Sequence, residues 1–206
     1  MLECAAITVL LDVGANEGQY GLSLRASGWT GRIVSFEPLH AAFTQLRAVA
    51  DADSAWTAVE LALGDIAEDV ELNVSGTPMS SSFLPMLPAH EHLVPRSGYT
   101  HTEWVRCVRL DDVFDELVGR EMSVGLKLDV QGFEMHVLRG AVNALSRITF
   151  IETEVNLDHL YDGQPTAAGV IRYLDESGFR LVGVGPEHVS PVTGHTSWIN
   201  ATFRRS

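Results

Sequence analysis

Residues Ala5 to Leu11 are apolar but for Thr8, and so short an apolar run marks a parallel strand buried on both faces. Asp12-Val13-Gly14-Ala15-Asn16-Glu17-Gly18 then turns the chain. Tyr20, Leu22 and Leu24 keep helical spacing up to the glycine-rich stop Ser27-Gly28-Trp29-Thr30-Gly31. A second apolar stretch, Ile33 to Phe36, ends in Glu37-Pro38. Pro38 opens another helix with Ala42, Phe43, Leu46 and Ala50 on one face, and Trp56 to Leu63 reads as a third strand closing at Gly64-Asp65. Strand-helix-strand units in this sequence imply a parallel sheet with right-handed crossovers and place a ligand across the carboxyl ends of the strands.

The alternation then changes. Asp69 to Val74 and Glu103 to Leu110 each alternate polar and apolar residues, as half-buried strands do, and pair plausibly as an antiparallel insertion. Between them, Ser75 to Thr100 holds Pro78, Pro85, Pro88 and Pro95, the serine run Ser80 to Ser82, and little periodicity. A long irregular segment inside a compact domain is typically functional, so 75–100 is expected to be a lid or substrate loop. A short helix is expected from Leu110 to Leu117 and a buried strand from Val124 to Val130. The Gln131-Gly132-Phe133-Glu134 turn then leads into a helix carrying Val137, Leu138 and Ala141. Ile148 to Ile151 is the next strand, ending in Glu152-Thr153-Glu154. A loop from Leu157 to Pro165, a helix from Ala167 to Ser177, and strands at Phe179 to Val184 and Ser197 to Phe203 complete the chain.

Composition narrows this picture without changing it. At 206 residues, with 46% hydrophobic and 20% charged content, the chain suits one α/β domain spanning 1–206. Twenty-seven acids against 14 bases leave a formal charge of -13, which repels phosphate backbones and anionic lipid, so neither a nucleic-acid acceptor nor membrane insertion is expected. The Ala5 to Leu11 run is too short for a signal core or a membrane span, making the cytoplasm the default location. Cys4 and Cys107 lie far apart in no metal-like spacing and are expected to be core thiols. The sole lysine, Lys127, falls inside the second strand-turn motif.

Glycine spacing points to the ligand. Dinucleotide sites use G-x-G-x-x-G to bring a pyrophosphate onto a helix N-terminus. Here Asp12-x-Gly14-x-x-x-Gly18 puts an acid just before the turn, where it would repel pyrophosphate. It suits a ligand with an ammonium and a sulfonium, S-adenosylmethionine (SAM), in preference to a nicotinamide dinucleotide. Glu37, about twenty residues on at the end of the second strand, is placed to accept hydrogen bonds from both ribose hydroxyls.

Asp12 to Tyr20, Ser35-Phe36-Glu37-Pro38, Ala62-Leu63-Gly64-Asp65, Leu110-Asp111-Asp112 and Leu126 to Glu134, followed by Leu138-Arg139-Gly140-Ala141 and Leu160 to Pro165, together resemble the FkbM family of SAM-dependent O-methyltransferases. The resemblance covers nearly the whole chain in order. It implies a Rossmann-like class I methyltransferase fold: a seven-stranded, mostly parallel sheet of order 3-2-1-4-5-7-6, flanked by helices, with the last strand antiparallel. It implies methylation of hydroxyls on polyketides, sugars or glycolipids. Asp12, Gly14, Asn16 and Gly18 would line the methionine part of SAM and Glu37 would hold the ribose. Asp65, after Gly64, would sit near the adenine amino group, although an aspartate there also suits a plain turn cap. Many relatives carry helices before the first strand. Here that strand starts within the first ten residues, so the lid or a second subunit of a homodimer is expected to close the pocket.

Methyl transfer to a hydroxyl requires an in-line approach of oxygen, loss of the hydroxyl proton and exclusion of water. Period-two alternation puts Lys127 and Asp129 on one face of their strand and Glu152 and Glu154 on one face of the next, which brings Asp129 and Glu154 together as the candidate catalytic pair. They admit two mechanisms: both ligate Mg²⁺, which acidifies the substrate hydroxyl, or one is a general base. The metal-free route is favoured, because no third acid is as firmly placed. Lys127 is expected to pair structurally with Asp129 or Glu134, and Phe133 and Tyr161 to wall the pocket. His136 is expected to pack, and His159 to lie on the surface beside Asp158. His90, His92 and His101 are the histidines a lid would carry onto a bound hydroxyl. The acceptor expected is a small molecule or glycan bearing a sugar-type or other polyol hydroxyl. A SAM-binding partner subunit without activity and a nicotinamide oxidoreductase are the alternatives. The first is opposed by the polar strand ends and the second by the glycine spacing.

Overall fold

The computed structural model describes residues 6–120, 123–190 and 192–206. Cys4 lies outside them; Cys107 is buried, and burial pushes its thiol up to about 11. The chain forms, in order, β1 (Val9–Val13), α1 (Gln19–Ala26), β2 (Arg32–Phe36), α2 (His40–Ala50), β3 (Trp56–Val59), β4 (Ala62–Leu63), β5 (Asp69–Ser75), α3 (Pro88–Leu93) and β6 (Tyr99–Val108). It continues through α4 (Leu110–Val118), β7 (Val124–Leu128), α5 (Glu134–Arg139), β8 (Ile148–Asn156), α6 (Ala167–Glu176), β9 (Phe179–Val189) and β10 (Thr196–Arg205).

Seven strands make the main sheet in the order β3-β2-β1-β7-β8-β10-β9. Counted within that sheet alone, this is 3-2-1-4-5-7-6, with β10 antiparallel to both its neighbours. Val9, Leu11 and Val13 bury one face of β1 in the larger core, against residues of α4, α5 and α6, while Leu10 packs on the other face with Ile33, Phe43, Leu46 and Trp56. An edge-to-edge apolar sheet of this kind must be covered on both faces, which the crossover helices do. In α1 the buried residue is Gly21, against the Trp56 ring, while Leu22 is exposed; the periodicity of Tyr20, Leu22 and Leu24 marks the helix but not its buried face.

Two expectations are revised. The stretch from Trp56 to Leu63 is two strands: β3 stays in the main sheet, and β4 leaves it to pair parallel with β6 in a second sheet of order β4-β6-β5. The Leu61 amide bonds back to Val59 O, which turns the chain between them. β5 and β6 form the expected antiparallel insertion, in register Asp69↔Arg106 to Val74↔His101. Segment 75–100 is not irregular throughout. It contains a 3₁₀ turn at Pro78–Ser80 and the helix α3, bridges Ser82 to Asn73 and Met86 to Tyr161, and buries Ser80, Ser82, His90 and Ser97. Among the described residues, no helix is long and apolar enough to cross a membrane.

A polar row crosses this otherwise apolar sheet. Strand register aligns Ser35 of β2, Asp12 of β1, Lys127 of β7, Glu152 of β8 and Thr202 of β10 side by side. Side chains in register on adjacent strands share a face, so the row lies on the side of α1 and α2.

Candidate active site

A cavity of about 510 Å³ opens at the carboxyl ends of β1, β2 and β7, within the size range of small-molecule sites. Residues 77–83, with His90 and Val94, cover part of it, and β8 and β10 supply a further wall.

The β1 turn approaches β7 so closely that side chains are excluded. A Cβ on Gly14 would fall 1.9 Å from the backbone oxygen of Asp129, and Gly14 also holds a φ of +75°, so only glycine fits. The Gly14 and Ala15 amides bond Phe36 O, fixing the turn to the end of β2. There Glu37 accepts hydrogen bonds from the Asn16 amide at Oε2 and the Leu39 amide at Oε1, both 2.9 Å. Burial pushes its carboxyl up to about 7 despite those two donors. Asn16 leaves its side-chain oxygen buried without a hydrogen-bond partner at the pocket. Gly14, Asn16 and Glu37 line the cavity.

Asp12 lies beneath the wall instead of forming it. Fully buried, it takes the Ser35 hydroxyl at 3.2 Å, itself held by the Trp56 indole N–H at 3.0 Å, and meets Lys127 Nζ at 3.3 Å. Lys127 Nζ also lies 3.5 Å from Asp129 Oδ2 and 5.3 Å from the centre of the Tyr20 ring. Burial works against the ammonium, but the two carboxylates outweigh it and hold its pKa above the usual lysine value. Tyr20 is pushed the same way, by burial first and then by the Glu152 and Asp12 carboxylates, and it bonds Glu152. Gly18 starts α1 and does not reach the cavity.

The expected partnership of Lys127 with Glu134 is not formed. Glu134 turns back to accept the Val130 and Gly132 amides at 3.2 and 3.1 Å, stapling the turn that ends β7, and burial pushes its carboxyl up to about 7. Gln131, at φ +54°, occupies the centre of this turn. Its amide nitrogen donates to Asp129 Oδ1 at 2.9 Å and its oxygen accepts from the Tyr161 hydroxyl at 2.8 Å, while its backbone oxygen accepts the Ser82 hydroxyl at 2.7 Å. His90 bonds the same Gln131 side chain and Ser97 Oγ, the latter at 2.9 Å; burial lowers its pKa, keeping the imidazole neutral. Segment 75–100 therefore grips the residue that orients Asp129. Of the three histidines expected on a lid, His90 lines the cavity, whereas His92 and, on β6, His101 are exposed.

Asp129 and Glu154 both line the cavity, together with Glu152. Gly64 and Asp65 do not. A Cβ on Gly140 would strike Gly64 O at 1.8 Å, so β4's end packs directly on the end of α5, and Asp65 pairs with His136 at 3.0 Å. His136 in turn stacks on Phe133, centroids 4.1 Å apart, and Phe133 does wall the cavity. Tyr161 is wholly buried behind that wall, not in it. Asp158 pairs with His195, leaving His159 exposed. The residues that sequence reasoning passed over are Ser35, Tyr20, Gln131, Trp198 and Asn200. A polar residue in the middle of a buried strand was the available signal for Ser35; nothing local marks the others.

These groups fit the cofactor that the glycine turn suggests. Glu37 and the Asn16 oxygen offer acceptors to hydroxyl or ammonium donors. The lining acids Glu37, Asp129, Glu152 and Glu154 face only one lysine, which suits a cationic ligand. Among the described residues no group of three or more His, Cys, Asp and Glu gathers for a metal ion.

The sequence matches the family described as the methyltransferase FkbM domain over residues 12–181. It is 25% identical over 189 residues to the 2-O-methyltransferase NoeI of Sinorhizobium fredii, covering 88% of this chain and 76% of that protein. Among solved structures it is similar to the magnesium protoporphyrin IX methyltransferase ChlM of Synechocystis PCC 6803 with bound SAM, at TM-score 0.53 and 11% identity over 98% of this chain and 74% of that one. It is also similar to TrmK of M. capricolum in complex with S-adenosyl-homocysteine, at TM-score 0.53 and 7% identity over 100% and 67% of the two chains. The fibrillarin/Nop5p complex matches at TM-score 0.52 and 11% identity over 97% and 73%. At these identities the structural likeness is one of fold.

Proposed function

The chain belongs to the FkbM methyltransferase family and is a SAM-dependent O-methyltransferase, and we propose that its acceptor is a neutral sugar or comparable polyol whose hydroxyl loses its proton to Glu154. The observation that carries this reading is the charge of the cavity. Four lining carboxylates surround one lysine that is already paired with Asp12 and Asp129, so a phosphorylated or nucleic-acid acceptor would meet net negative charge. The formal charge of -13 acts in the same direction. The relative NoeI is a 2-O-methyltransferase, which supports oxygen as the acceptor atom. A fold shared with the fibrillarin/Nop5p complex does not by itself choose the acceptor.

Bound SAM supplies the electrophilic methyl group on a sulfonium. Gly14 would let the backbone approach it, the Asn16 oxygen would receive a donor from it, and Glu37 would accept from its ribose hydroxyls. Asp129 has one oxygen held by the Gln131 amide and the other beside the Lys127 ammonium, which fixes its carboxylate at the cavity wall. Glu154, nine-tenths buried on the adjacent strand and lining the cavity, takes the hydroxyl proton as oxygen attacks. Residues 77–83 and α3 form the lid that keeps water out. The chemistry proceeds without Mg²⁺, because a divalent ion at Asp129 would have to displace the Lys127 ammonium.

The test is incubation with methyl-labelled SAM and a panel of neutral glycosides and polyols in the presence of EDTA. A methyl ether on an acceptor hydroxyl, lost in E154Q, is expected. Cofactor binding with no methylated saccharide or polyol would sink the reading, and a strict Mg²⁺ requirement would sink its metal-free part.

A further inference from the structure

The strands β8 and β10 bound the rest of the cavity, and the chemistry of that wall is ordered. Antiparallel register pairs Glu152 with Thr202, Glu154 with Asn200 and Asn156 with Trp198. Alternation puts all six on one face, while Ile151, Val155, Ala201 and Phe203 on the other face belong to the main core. Apolar packing thus fixes the two strands from behind and leaves a polar ladder in front. Glu152, Glu154, Asn200 and Trp198 line the cavity. At a strand rise of about 3.4 Å per residue, the ladder runs about 14 Å from Glu152, beside the reacting end, to Asn156 and Trp198.

The outer end is apolar on one side and polar on the other. Trp198 is half-buried and stacks against His188, with ring centroids 4.3 Å apart and planes 17° from parallel, so its indole is held from one side in a defined orientation. Opposite it, Asn156 is buried with its side-chain oxygen lacking any hydrogen-bond partner. A buried acceptor of this kind costs free energy unless a ligand supplies the donor.

We propose that this wall is the acceptor subsite for a neutral oligosaccharide of more than one ring. Trp198 stacks on the ring distal to the methylated one, and Asn200 binds hydroxyls along the ladder. The inference rests on the saccharide reading above and adds to it a length requirement and the residues that impose it. A pyranose presents an apolar C–H face and a rim of hydroxyls that both donate and accept. An indole face beside carboxamides, which do the same, and carboxylates, which only accept, is the complementary surface. The wall residues that line the cavity, Glu152, Glu154, Trp198 and Asn200, include no lysine or arginine, so they offer nothing to a phosphate or sulfate. The wall's length exceeds what one ring can span.

Methyl glycosides of neutral hexoses, deoxyhexoses and N-acetylhexosamines, each alone and as the terminal unit of di- and trisaccharides, give the test with wild type, W198A and W198F. S-adenosyl-homocysteine binding by calorimetry on each preparation verifies the cofactor half. Wild type should favour the oligosaccharides over the single ring by about tenfold or more in kcat/KM. W198A should erase that preference through a rise in KM with a smaller change in kcat, and W198F should keep most of it. Equal use of single rings and oligosaccharides by wild type, or an undiminished preference in W198A, would overturn the subsite and leave the saccharide reading standing. Binding of S-adenosyl-homocysteine with no saccharide methylated at any length would overturn the reading itself, and the subsite with it.

Discussion

The cofactor half of the pocket and the half that faces the acceptor are built by opposite strategies. In the cofactor half, every key contact lies within the first two strands and their turn or reaches one strand away: Glu37 receives the Asn16 amide 21 residues earlier, and Ser35 reaches Asp12 across 23. Its one lysine is shared, with Lys127 between the buried Asp12 and the partly exposed Asp129. The acceptor half is assembled from remote pieces. Ser82 grips Gln131 across 49 residues, Tyr161 holds the same side chain across 30, and the β8 wall is completed by β10 at the end of the chain. The comparison teaches that neighbouring strands preorganise the glycine-turn half of the pocket through sheet register. The other half depends on segments that meet only when the whole chain has folded.

The strongest way to break the cofactor half is to remove its one cation. K127M leaves Asp12 wholly buried without a counter-charge and should cost about 3–5 kcal/mol in urea unfolding, whereas adding D12N should recover most of the loss. If K127M alone is as stable as wild type, the row is not held by that pair.

A cut between the halves comes next. Q131L removes the donor to Asp129 and the acceptor of Tyr161 together, and a misplaced carboxylate should lower kcat about 10- to 100-fold while the dissociation constant of S-adenosyl-homocysteine stays the same. Parallel loss of cofactor affinity would mean that Gln131 belongs to the cofactor half instead.

Glu37 gives a pH signature confined to its own half. With the free carboxyl at about 7, its ionised fraction rises roughly tenfold from pH 6 to pH 8, and the ionised form accepts ribose hydroxyls more strongly than the protonated one. Cofactor affinity should therefore rise by up to about that factor over the interval, and E37Q should flatten it. Stability without ligand moves the other way. Glu37 and Glu134 hold protons more tightly folded, at about 7, than their usual 4.5, so their contribution is full below about 4.5 and declines as pH rises through about 7. Melting temperatures with and without S-adenosyl-homocysteine across that window should diverge as pH increases.

The smallest effect sharpens the boundary of the site. Asp65 and His136 are both partly exposed, and D65N should cost no more than about 1 kcal/mol and leave cofactor affinity unchanged. A clear drop in affinity would return Asp65 to the adenine end of the site.

Reading the chain in one dimension captured what is periodic or local. The strands and helices of the main sheet follow from apolar runs and caps, and the glycine turn, Glu37, Asp129 and Glu154 are all placed at strand ends by spacing alone. The misplacements share a cause. Asp12 resembles a wall residue beside its turn, but the strand's alternation and its neighbours Ser35 and Lys127 draw it beneath the pocket. Trp56 to Leu63 is one apolar stretch in sequence and two strands in space, because β4 finds its partner in β6 more than forty residues later. Segment 75–100 lacks periodicity because its order comes from bridges to Asn73 and Tyr161, not from its own repeat.

The sequence by itself determined the fold class and the cofactor, through its strand-turn motifs and the family they resemble, and it put Asp129 and Glu154 where both line the cavity. Only the tertiary structure decided which buried charges meet, that Gln131 ties segment 75–100 to Asp129, and that Trp198 and Asn200 complete the pocket opposite the cofactor half. Those are contacts between strands far apart in the chain, set by sheet register and not by any local pattern.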